Sequence, residues 1–505
     1  MKKSCSVSLL ENTMSRVYCS QLRNRIMLPE DASNYIKSGM TVAFGGISSA
    51  GYPKAIPQEL RKRQAAGEDL NLFMVSGTAI HQIDEWLSES VTRRTPMFES
   101  KAMRNRVNSG KIHYVEQQIG KSIRLLHTGA YGKIDIAVVE ALLITEDCAL
   151  VPTSSVCYLP HFLELADKVI IEVNSHLPLG LEGYHDIYVP GLYPNRAPIP
   201  LHNIRQRIGS TAIKLDPKKV VAIVETDCPD AVSAPASKSD ALERIADNLI
   251  LFLQKELTVN WKTGLPPVQT GIGSLAKSIV TAFDKADFHH LQFFCGAFHD
   301  SHMRLLEKGR VDALSASSVE LSDDMAQFLS ENSRELQQRL ILRNTDMINE
   351  AELLQRFGIL ALNSALEIDI YGNVNQSHIT GTNVVNGLGG GAQFAQNAGL
   401  SVLLIPSTSK RGAISSVVPM VSHVDITEHD IDVVITEQGI ADLRNKDEQE
   451  RAHLIIENCA SPQYQDALKR YLRESAARFS GHHPQDPIEA SQWHRRLAET
   501  GTMMP

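Results

Sequence analysis

Short runs of aliphatic and β-branched residues constrain the fold of this chain most. The runs at 135–144, 168–173 and 219–226 are apolar almost throughout and too short for typical helices. Such near-continuous apolar strands are typical of a parallel sheet that is covered on both faces. Segments with helical patterns alternate with these runs, as residues 53–64 follow the strand-like run 40–46. The alternation predicts βαβ units and an α/β fold.

The chain has 505 residues, which is more than one core usually supports. A single hydrophobic core rarely grows beyond about 250–300 residues, so we expect two domains. A Pro-, Ser- and Ala-rich connector leading into an amphipathic helix at 228–257 places the boundary near residue 230. Because the order of strand, glycine loop and helix recurs at 268–283, we predict two related open α/β domains at 14–229 and 230–505.

The charge of the chain limits its partners. The formal net charge is -8 at pH 7, whereas nucleic-acid-binding proteins carry basic patches and anionic membranes attract basic segments. No run approaches the roughly 20 apolar residues of a membrane-spanning helix. We therefore predict neither a nucleic-acid partner nor a membrane partner. The N-terminal apolar stretch is too short for a secretory signal, and Met14 is a candidate start.

The cysteines form no recognisable motif. There are seven of them, and no two have CxxC spacing. Neither a zinc site nor a disulfide framework is indicated, so we expect reduced thiols in a cytoplasmic protein. The cysteines are Cys5, Cys19, Cys148, Cys157, Cys228, Cys295 and Cys459.

A glycine loop at 270–273 lies between a predicted strand and a predicted helix. Gly271 and Gly273 permit a close approach of the backbone, and the N–H groups at a helix N-terminus can stabilise an anion or a developing oxyanion. The spacing is not GxGxxG, so it does not predict dinucleotide binding. Taken alone, such a loop is more often a tight turn than a binding site.

Two further loops carry residue types that suit a ligand. Glycine occupies four of the five positions from 387 to 391, which is typical of a flexible linker or of a backbone platform for a ligand. The strand-like run at 400–407 follows closely and favours the platform. Lys410 and Arg411 lie with several hydroxyl groups at the end of that run. Ligands of open α/β sheets bind at the carboxyl ends of strands, so a phosphate-bearing ligand and a solvated turn both remain open there.

His299 and His302 are three residues apart and can share one face of a helix. Pairs of metal ligands occur at this spacing in helix bundles. Two surface histidines at the start of a helix are the commoner arrangement, and nothing nearby marks a metal site. We therefore predict no metal here.

Ten stretches taken together resemble the acetyl-CoA hydrolase/transferase family, the class I CoA-transferases. Within the family, the chain is most similar to the succinyl-CoA:acetate and propionyl-CoA:succinate CoA-transferases. The resemblance covers nearly the whole chain from about Met14, and the combination is specific although no single glycine loop is. The stretches are 44–57, 132–156, 168–174, 215–230, 270–273, 367–375, 386–391, 417–425, 434–445 and 493–505.

The resemblance implies two related α/β domains with the active site between them, an acyl-CoA donor and a carboxylic acid acceptor. It implies neither a metal nor a tightly bound cofactor, and we expect a homodimer. In this family a glutamate attacks the thioester, forms an acyl-glutamyl anhydride and then carries CoA as a thioester, which a second carboxylic acid attacks. The chemistry demands a carboxylate, because a mixed anhydride and an acyl thioester must both form on the same side chain.

The resemblance also assigns site residues. The family stabilises oxyanions with backbone N–H groups and an asparagine side chain. The matching positions here are the backbone of Ile272, the side chain of Asn349, and Gly390. The residues that we expect to bind CoA are Gly271, Gly273, Gly389, Gly390, Gly391 and Lys410.

The nucleophilic glutamate of the family is missing. The aligned stretch is 295–300, and Gly296 stands where the glutamate belongs. The alignment stays in register on both sides, and the nearest downstream glutamate, Glu307, lies well into the predicted helix. There are two smaller departures: the tripeptide 391–393 replaces the family's Ser-Gly-Asp, and Ala413 replaces a lysine.

Three functions follow from these residues and remain open. The first is CoA transfer between a short-chain acyl-CoA (acetyl, propionyl or succinyl) and a carboxylate such as acetate or succinate. In this case the thiol of Cys295, near a helix N-terminus, is the substitute nucleophile. The second is slow acyl-CoA hydrolysis by a water in the space that the glutamate leaves. The third is a CoA-binding paralogue without turnover. We place CoA transfer first. Glu140 and Glu367 are further acidic groups in the matching stretches.

Overall fold

The computed structural model describes residues 15–192, 194, 196–232 and 239–504. Cys5, and the predictions about the N-terminal stretch before residue 15, lie outside the described residues. The chain divides into two compact units, which are described one at a time. The first contains the described part of Met1–Ala234 together with Phe293–Leu353, and the second contains the described part of Pro235–Gln292 together with Leu354–Pro505. The first break therefore lies close to the boundary predicted near residue 230, and the segment 293–353 belongs with the residues before that boundary.

The α-helices are numbered in chain order. They are α1 Pro29–Ser33, α2 Ala55–Ala65, α3 His81–Leu87, α4 Lys101–Asn108, α5 Ile119–His127, α6 Leu159–Leu165, α7 Asp240–Val259, α8 Ser274–Lys285, α9 Asp300–Glu307, α10 Asp323–Glu331, α11 Ser333–Leu336, α12 Thr345–Ile348, α13 Ala351–Phe357, α14 Gly391–Asn397, α15 Glu448–Cys459, α16 Pro462–Arg478 and α17 Pro487–Thr500. Short 3-10 helices lie at Ser20–Arg25, Ser88–Ser90, Leu179–Leu181, Lys410–Gly412 and Glu428–Asp430.

The β-strands are numbered in the same way. They are β1 Thr41–Phe44, β2 Leu72–Ser76, β3 Val91–Thr95, β4 His113–Tyr114, β5 Ile134–Ala141, β6 Leu143–Ile144, β7 Ala149–Val151, β8 Ala166–Asn174, β9 Ile213–Lys214, β10 Val220–Thr226, β11 Val268–Thr270, β12 Leu291–Phe298, β13 Val311–Val319, β14 Leu340–Leu342, β15 Leu360–Ser364, β16 Glu367–Asp369, β17 Val374–Asn375, β18 His378–Ile379, β19 Asn383–Val384, β20 Leu400–Leu404, β21 Thr408–Ser409, β22 Ile414–Ser415, β23 Val417–Val418, β24 Val433–Ile435 and β25 Ile440–Asp442.

A seven-stranded sheet forms the centre of the first unit. Its strand order is β10-β8-β5-β1-β2-β3-β4, and every neighbouring pair is parallel. The apolar runs of the sequence become its central strands, and β5 is buried along nearly its whole length. Parallel strands need long crossovers, which the intervening helices supply. The predicted α/β class with parallel strands is confirmed.

Three more strands of the first unit run in the order β12-β13-β14. β13 and β14 are parallel, with Leu314 opposite Leu340. The backbone N–H of Glu320, just after β13, donates to the carbonyl of Phe298 at the end of β12, with an N···O distance of 2.8 Å. This bond joins the carboxyl ends of β12 and β13. The carboxyl ends of all three strands therefore lie at one edge.

A small antiparallel sheet, β6-β7-β9, corrects the expectation that the cysteines are reduced. The N-terminal segment pairs with it, because the N–H of Tyr18 donates to the Ile144 carbonyl at 2.8 Å. This pairing brings Cys19 to the turn that holds Cys148, and the two form a disulfide. The sequence could not indicate the bond, since 129 positions separate the cysteines and only the strand pairing brings them together.

The second unit contains four parallel strands and one antiparallel strand. β11, β15, β20 and β24 are parallel neighbours in that order, and β25 closes the edge as an antiparallel strand. Helices α15, α16 and α17 pack on a buried core that includes Leu403, Val434, Ile455 and Trp493. The strand, glycine loop and helix predicted at 268–283 are present as β11, a loop and α8.

No helix among the described residues has both the length and the apolar composition that crossing a membrane requires. The longest, α7, has 20 residues and begins with two acidic residues in its first turn.

Candidate active site

Gly296 lies near the carboxyl end of β12 and leaves an open space. It is partly exposed between two buried neighbours. Its φ is not in the positive range that favours glycine. A Cβ atom built on Gly296 would meet no heavy atom of the described chain within 4 Å. The local structure therefore does not require a glycine, and a side chain at this position would begin in open space.

Cys295 faces away from that space. Its side chain is buried, with a relative exposure of 0%, and it is not part of a disulfide. Successive side chains of a strand point to opposite faces of the sheet, so the open side at Gly296 is not the side on which the Cys295 thiol lies. The role of Cys295 as a nucleophile stays a prediction.

Asn349 lies at the same edge of the first unit as Gly296. It follows α12, which begins three residues after β14 ends. Its backbone N–H donates to the carbonyl of Thr345 at 2.8 Å. Its side-chain amide makes no hydrogen bond with any residue that the structure describes, although Asn349 is 95% buried, with only 5% of its surface exposed. The atoms of this amide are not fully enclosed, so its two N–H groups are available to a ligand.

The loop after β11 places two glycines at a helix N-terminus in the second unit. Gly273 has a φ of 98°, which favours glycine, and it is the residue before α8. No described heavy atom lies within 4 Å of a Cβ atom built on Gly271 or Gly273. Ile272 between them is 50% exposed, which is unusual for a large aliphatic side chain. The backbone of this loop is therefore accessible, as an oxyanion site requires.

The glycine-rich segment 387–391 is not a linker, because it leads directly into α14. Gly389 has a φ of 66°, and Gly390 is the residue that caps α14. The side chain of Asn363, in β15, donates to the carbonyl of Gly391 at 3.3 Å. A Cβ atom on Gly391 would lie 2.9 Å from the side-chain nitrogen of Gln376. A larger residue here would require the end of the Gln376 side chain to move, and CoA binding by Gly389, Gly390 and Gly391 stays a prediction.

Lys410 lies at the tip of the hairpin that β21 and β22 form. It is exposed, and both Lys410 and Arg411 have positive φ values, of 47° and 58°. The hairpin follows β20, so these cations project from the carboxyl end of a parallel strand, where ligands of such sheets bind. The geometry fits a phosphate-bearing ligand and leaves the solvated turn open as well.

The two histidines near Gly296 are not on the surface. His299 caps α9 and is 4% exposed, while His302 is fully buried. The N–H of His299 donates to Nδ1 of His302 at 3.3 Å. Burial, together with the nearby His299, holds the pKa of His302 well below its usual value. The expectation of two surface histidines is wrong, because the pair caps a helix inside the first unit.

A buried charged cluster in the first unit was missed by the sequence reasoning. Nζ of Lys54 lies 2.7 Å from Asp230 and also contacts Glu140. Glu172 accepts the backbone N–H groups at the start of α2, two of them at 2.7 Å. Burial by itself lowers the pKa of Lys54, but the two carboxylates raise it above its usual value. The only signal was a lysine inside an apolar stretch.

Glu140 and Glu367, the two acidic residues noted in the matching stretches, have hydrogen-bond partners within the protein. Glu140 is fully buried beside Lys54, and it also accepts a hydrogen bond from Thr153 at 2.8 Å. Glu367 is 6% exposed and accepts the N–H and the hydroxyl of Ser422 at 2.8 and 2.7 Å. These bonds hold both carboxylates within their own units.

Two ranges of the chain match the models of one protein family. Residues 10–225 match the N-terminal domain of acetyl-CoA hydrolase/transferase, and residues 322–472 match its C-terminal domain. The chain therefore belongs to the acetyl-CoA hydrolase/transferase family. It is an enzyme of a family whose named members include both CoA-transferases and acetyl-CoA hydrolases.

Relatives with different names are about equally similar. The chain is 36% identical over 496 residues to the succinyl-CoA:acetate CoA-transferase of Clostridium kluyveri, covering 97% of this chain and 92% of the relative. It is 37% identical over 503 residues to the acetyl-CoA hydrolase of Candida glabrata, covering 95% of each. The crystal structure of RipA from Yersinia pestis superposes with a TM-score of 0.70 at 19% identity, covering 90% of this chain and 98% of that one. The last likeness supports the fold alone.

Proposed function

We propose that this chain is a slow hydrolase of short-chain acyl-CoA thioesters, in which water replaces the missing carboxylate. The observation that carries the proposal is the open space at Gly296, where no described atom approaches a Cβ position within 4 Å. In hydrolysis the water oxygen bonds to the thioester carbon, the C–S bond breaks, and CoA leaves as a thiolate that takes up a proton. The products are a carboxylic acid and free CoA.

Asn349 is the residue that we assign to the oxyanion in the first unit. When water attacks, the thioester oxygen gains negative charge, and a preorganised N–H donor stabilises that charge more than it stabilises the substrate. The Asn349 amide lies at the carboxyl edge shared with Gly296 and has no other described partner. The backbone of Ile272 and that of Gly390 keep the oxyanion role that the family resemblance implies, and Lys410 is a candidate for the phosphates of CoA.

CoA transfer is the less favoured function for a geometric reason. The transfer mechanism of the family needs a carboxylate that forms both an anhydride and a thioester. Cys295 cannot form the anhydride, and its thiol is fully buried on the other side of β12. The homodimer and the cytoplasmic location remain predictions alongside this proposal.

Release of free CoA from acetyl-, propionyl- and succinyl-CoA tests the proposed function. We expect a slow release that does not depend on added acetate, because water is the acceptor. Binding and oxyanion stabilisation without a nucleophile can still leave a rate about 10³–10⁴-fold above water alone. Cys295→Ala should retain that rate. Formation of acetyl-CoA from succinyl-CoA and acetate that is lost in Cys295→Ala would instead establish transfer through the thiol. Tight CoA binding without any turnover would contradict both functions.

Asn349→Ala should reduce the hydrolysis rate strongly. Removal of one oxyanion donor typically costs about 10²–10³ in kcat, and the change should leave CoA affinity nearly unaltered because the donor acts on the transition state. Asn332→Ala is a matched control, since Asn332 is an exposed residue of the same unit that donates only to the Phe328 carbonyl at 2.9 Å. Equal rates for the two variants would remove Asn349 from the mechanism.

A further inference from the structure

A pair of histidines and a glutamate meet in the first unit, away from Gly296. His127 is the last residue of α5, and His161 and Glu164 are three residues apart on α6. One side-chain ligand atom from each of the three residues lies within 4.8 Å of the other two. His161 is buried, His127 is partly buried and Glu164 is exposed. The group therefore has an enclosed side and a side open to solvent.

The two imidazole rings already have nearly the spacing of metal ligands. Nε2 of His127 lies 2.9 Å from Nδ1 of His161, and the ring planes are 88° apart. Two nitrogen ligands of a tetrahedral zinc ion, each about 2.0–2.1 Å from the metal, lie about 3.3 Å from each other. A small outward shift of the partly buried His127 would therefore admit the ion in place of the shared proton.

Asp346 prepares His161 as a ligand. Nε2 of His161 lies 3.1 Å from the carboxylate of Asp346, on α12. Nε2 of His161 makes no well-directed hydrogen bond, but the negative charge of Asp346 beside it favours a proton on Nε2. In that tautomer the lone pair of Nδ1 is left for a ligand on the side of His127. Asp346 in turn accepts a hydrogen bond from the side chain of Asn344. A carboxylate behind a histidine in this way fixes the ring and raises its basicity in zinc sites.

We infer that His127, His161 and Glu164 form a binding site for a divalent transition metal ion, with Zn²⁺ as the best match. Two imidazoles and one carboxylate are a common zinc ligand set, and they leave the fourth position for water. The ion would join the ends of α5 and α6, with Asp346 orienting His161 from α12. It would stabilise the first unit and take no part in thioester chemistry, so the inference does not depend on the proposed hydrolysis.

Titration of the chelator-treated full chain with Zn²⁺ tests the inference. We expect one saturable equivalent of Zn²⁺, an upward shift of the thermal unfolding transition, and visible absorption typical of tetrahedral coordination when Co²⁺ is used instead. Asp346→Asn should weaken Zn²⁺ binding by about 10–100-fold, which is the usual effect of removing a partner of a ligand. Glu164→Gln and His127→Gln should weaken it at least as much.

These variants leave the buried His161 in place, because replacing a buried side chain disturbs folding for reasons unrelated to a metal. The matched control is the double variant His482→Gln/His483→Gln, because these neighbouring rings are also close, at 4.7 Å, and belong to the second unit. The control should bind Zn²⁺ as the native chain does. Two results would overturn the site. One is the absence of saturable Zn²⁺ binding to the native chain. The other is Zn²⁺ binding that the control loses while Glu164→Gln and His127→Gln retain it; in either case His127 and His161 would be a hydrogen-bonded pair without a metal.

Discussion

Gly296→Glu should give the enzyme CoA-transferase activity. The new carboxylate would attack the thioester carbon, displace CoA as a thiolate and form the acyl-glutamyl anhydride that the family mechanism requires. The side chain would begin in open space, since no described atom lies within 4 Å of its Cβ position. Loss of a covalent nucleophile can cost up to about 10⁶ in kcat, so we expect formation of acetyl-CoA from succinyl-CoA and acetate to rise by roughly 10³-fold or more.

Gly296→Gln is the matched control for this gain. Glutamine has the same shape as glutamate but cannot form an anhydride and pass it on, so this variant should show no transfer. Detection of a covalent CoA adduct on residue 296 in the glutamate variant alone would complete the result. Equal transfer rates in the two variants, or no transfer in either, would show that position 296 does not hold the nucleophile in this chain.

Lys54→Met should destabilise the first unit severely. Nζ of Lys54 is fully buried, contacts Glu140, lies 2.7 Å from Asp230 and donates to the carbonyl of Tyr52 at 2.8 Å. Methionine fills a similar volume but leaves two buried carboxylates without their cation. Breaking a buried ion pair by removing one partner costs about 3–5 kcal/mol. We therefore expect the first unit to unfold at a much lower urea concentration in this variant than in the native chain.

Lys62→Met separates burial from the mere loss of a lysine. Lys62 lies in α2, the helix that begins just after Lys54; its side chain is 71% exposed, and it pairs with Glu59 at 2.6 Å. Exposed pairs contribute at most about 1 kcal/mol, so the midpoint should hardly change. A loss of stability in Lys62→Met as large as in Lys54→Met would show that the buried cluster does not have the role assigned to it.

The strands of the main sheets could be predicted because their signal is local. Apolar runs such as 168–173 and 219–226 need only their own composition to indicate buried parallel strands, and they became β8 and β10. The grouping of 293–353 with the residues before 234 could not be predicted in this way. That grouping depends on contacts between segments far apart in the sequence, such as the bridges of Cys157 with Asn344 and of His185 with Leu342. The pairing of Tyr18 with Ile144, which explains the unexpected disulfide, is likewise a contact between distant segments.

The site could be located from the sequence only in part. The glycine loops and Gly296 were found through their resemblance to family motifs, and the open space at Gly296 agrees with a missing side chain. Lys54 and the histidines at α9 were not recognised as buried, because polar residues are usually exposed. Their burial is stable only when tertiary partners satisfy their charge or hydrogen bonds, and such partners are not visible in the sequence. The ring contact between His127 and His161 likewise brings together residues 34 positions apart.

The ordinary strand geometry at residue 296 has a consequence for how such an enzyme changes during evolution. Neither the backbone nor any described neighbour favours one side chain there. Packing therefore does not oppose an exchange of glycine and glutamate at this position. A lineage can lose the reactive group by a few base changes and regain it in the same way without rebuilding the surrounding strand. Selection on the products of the reaction then decides which of the two forms persists.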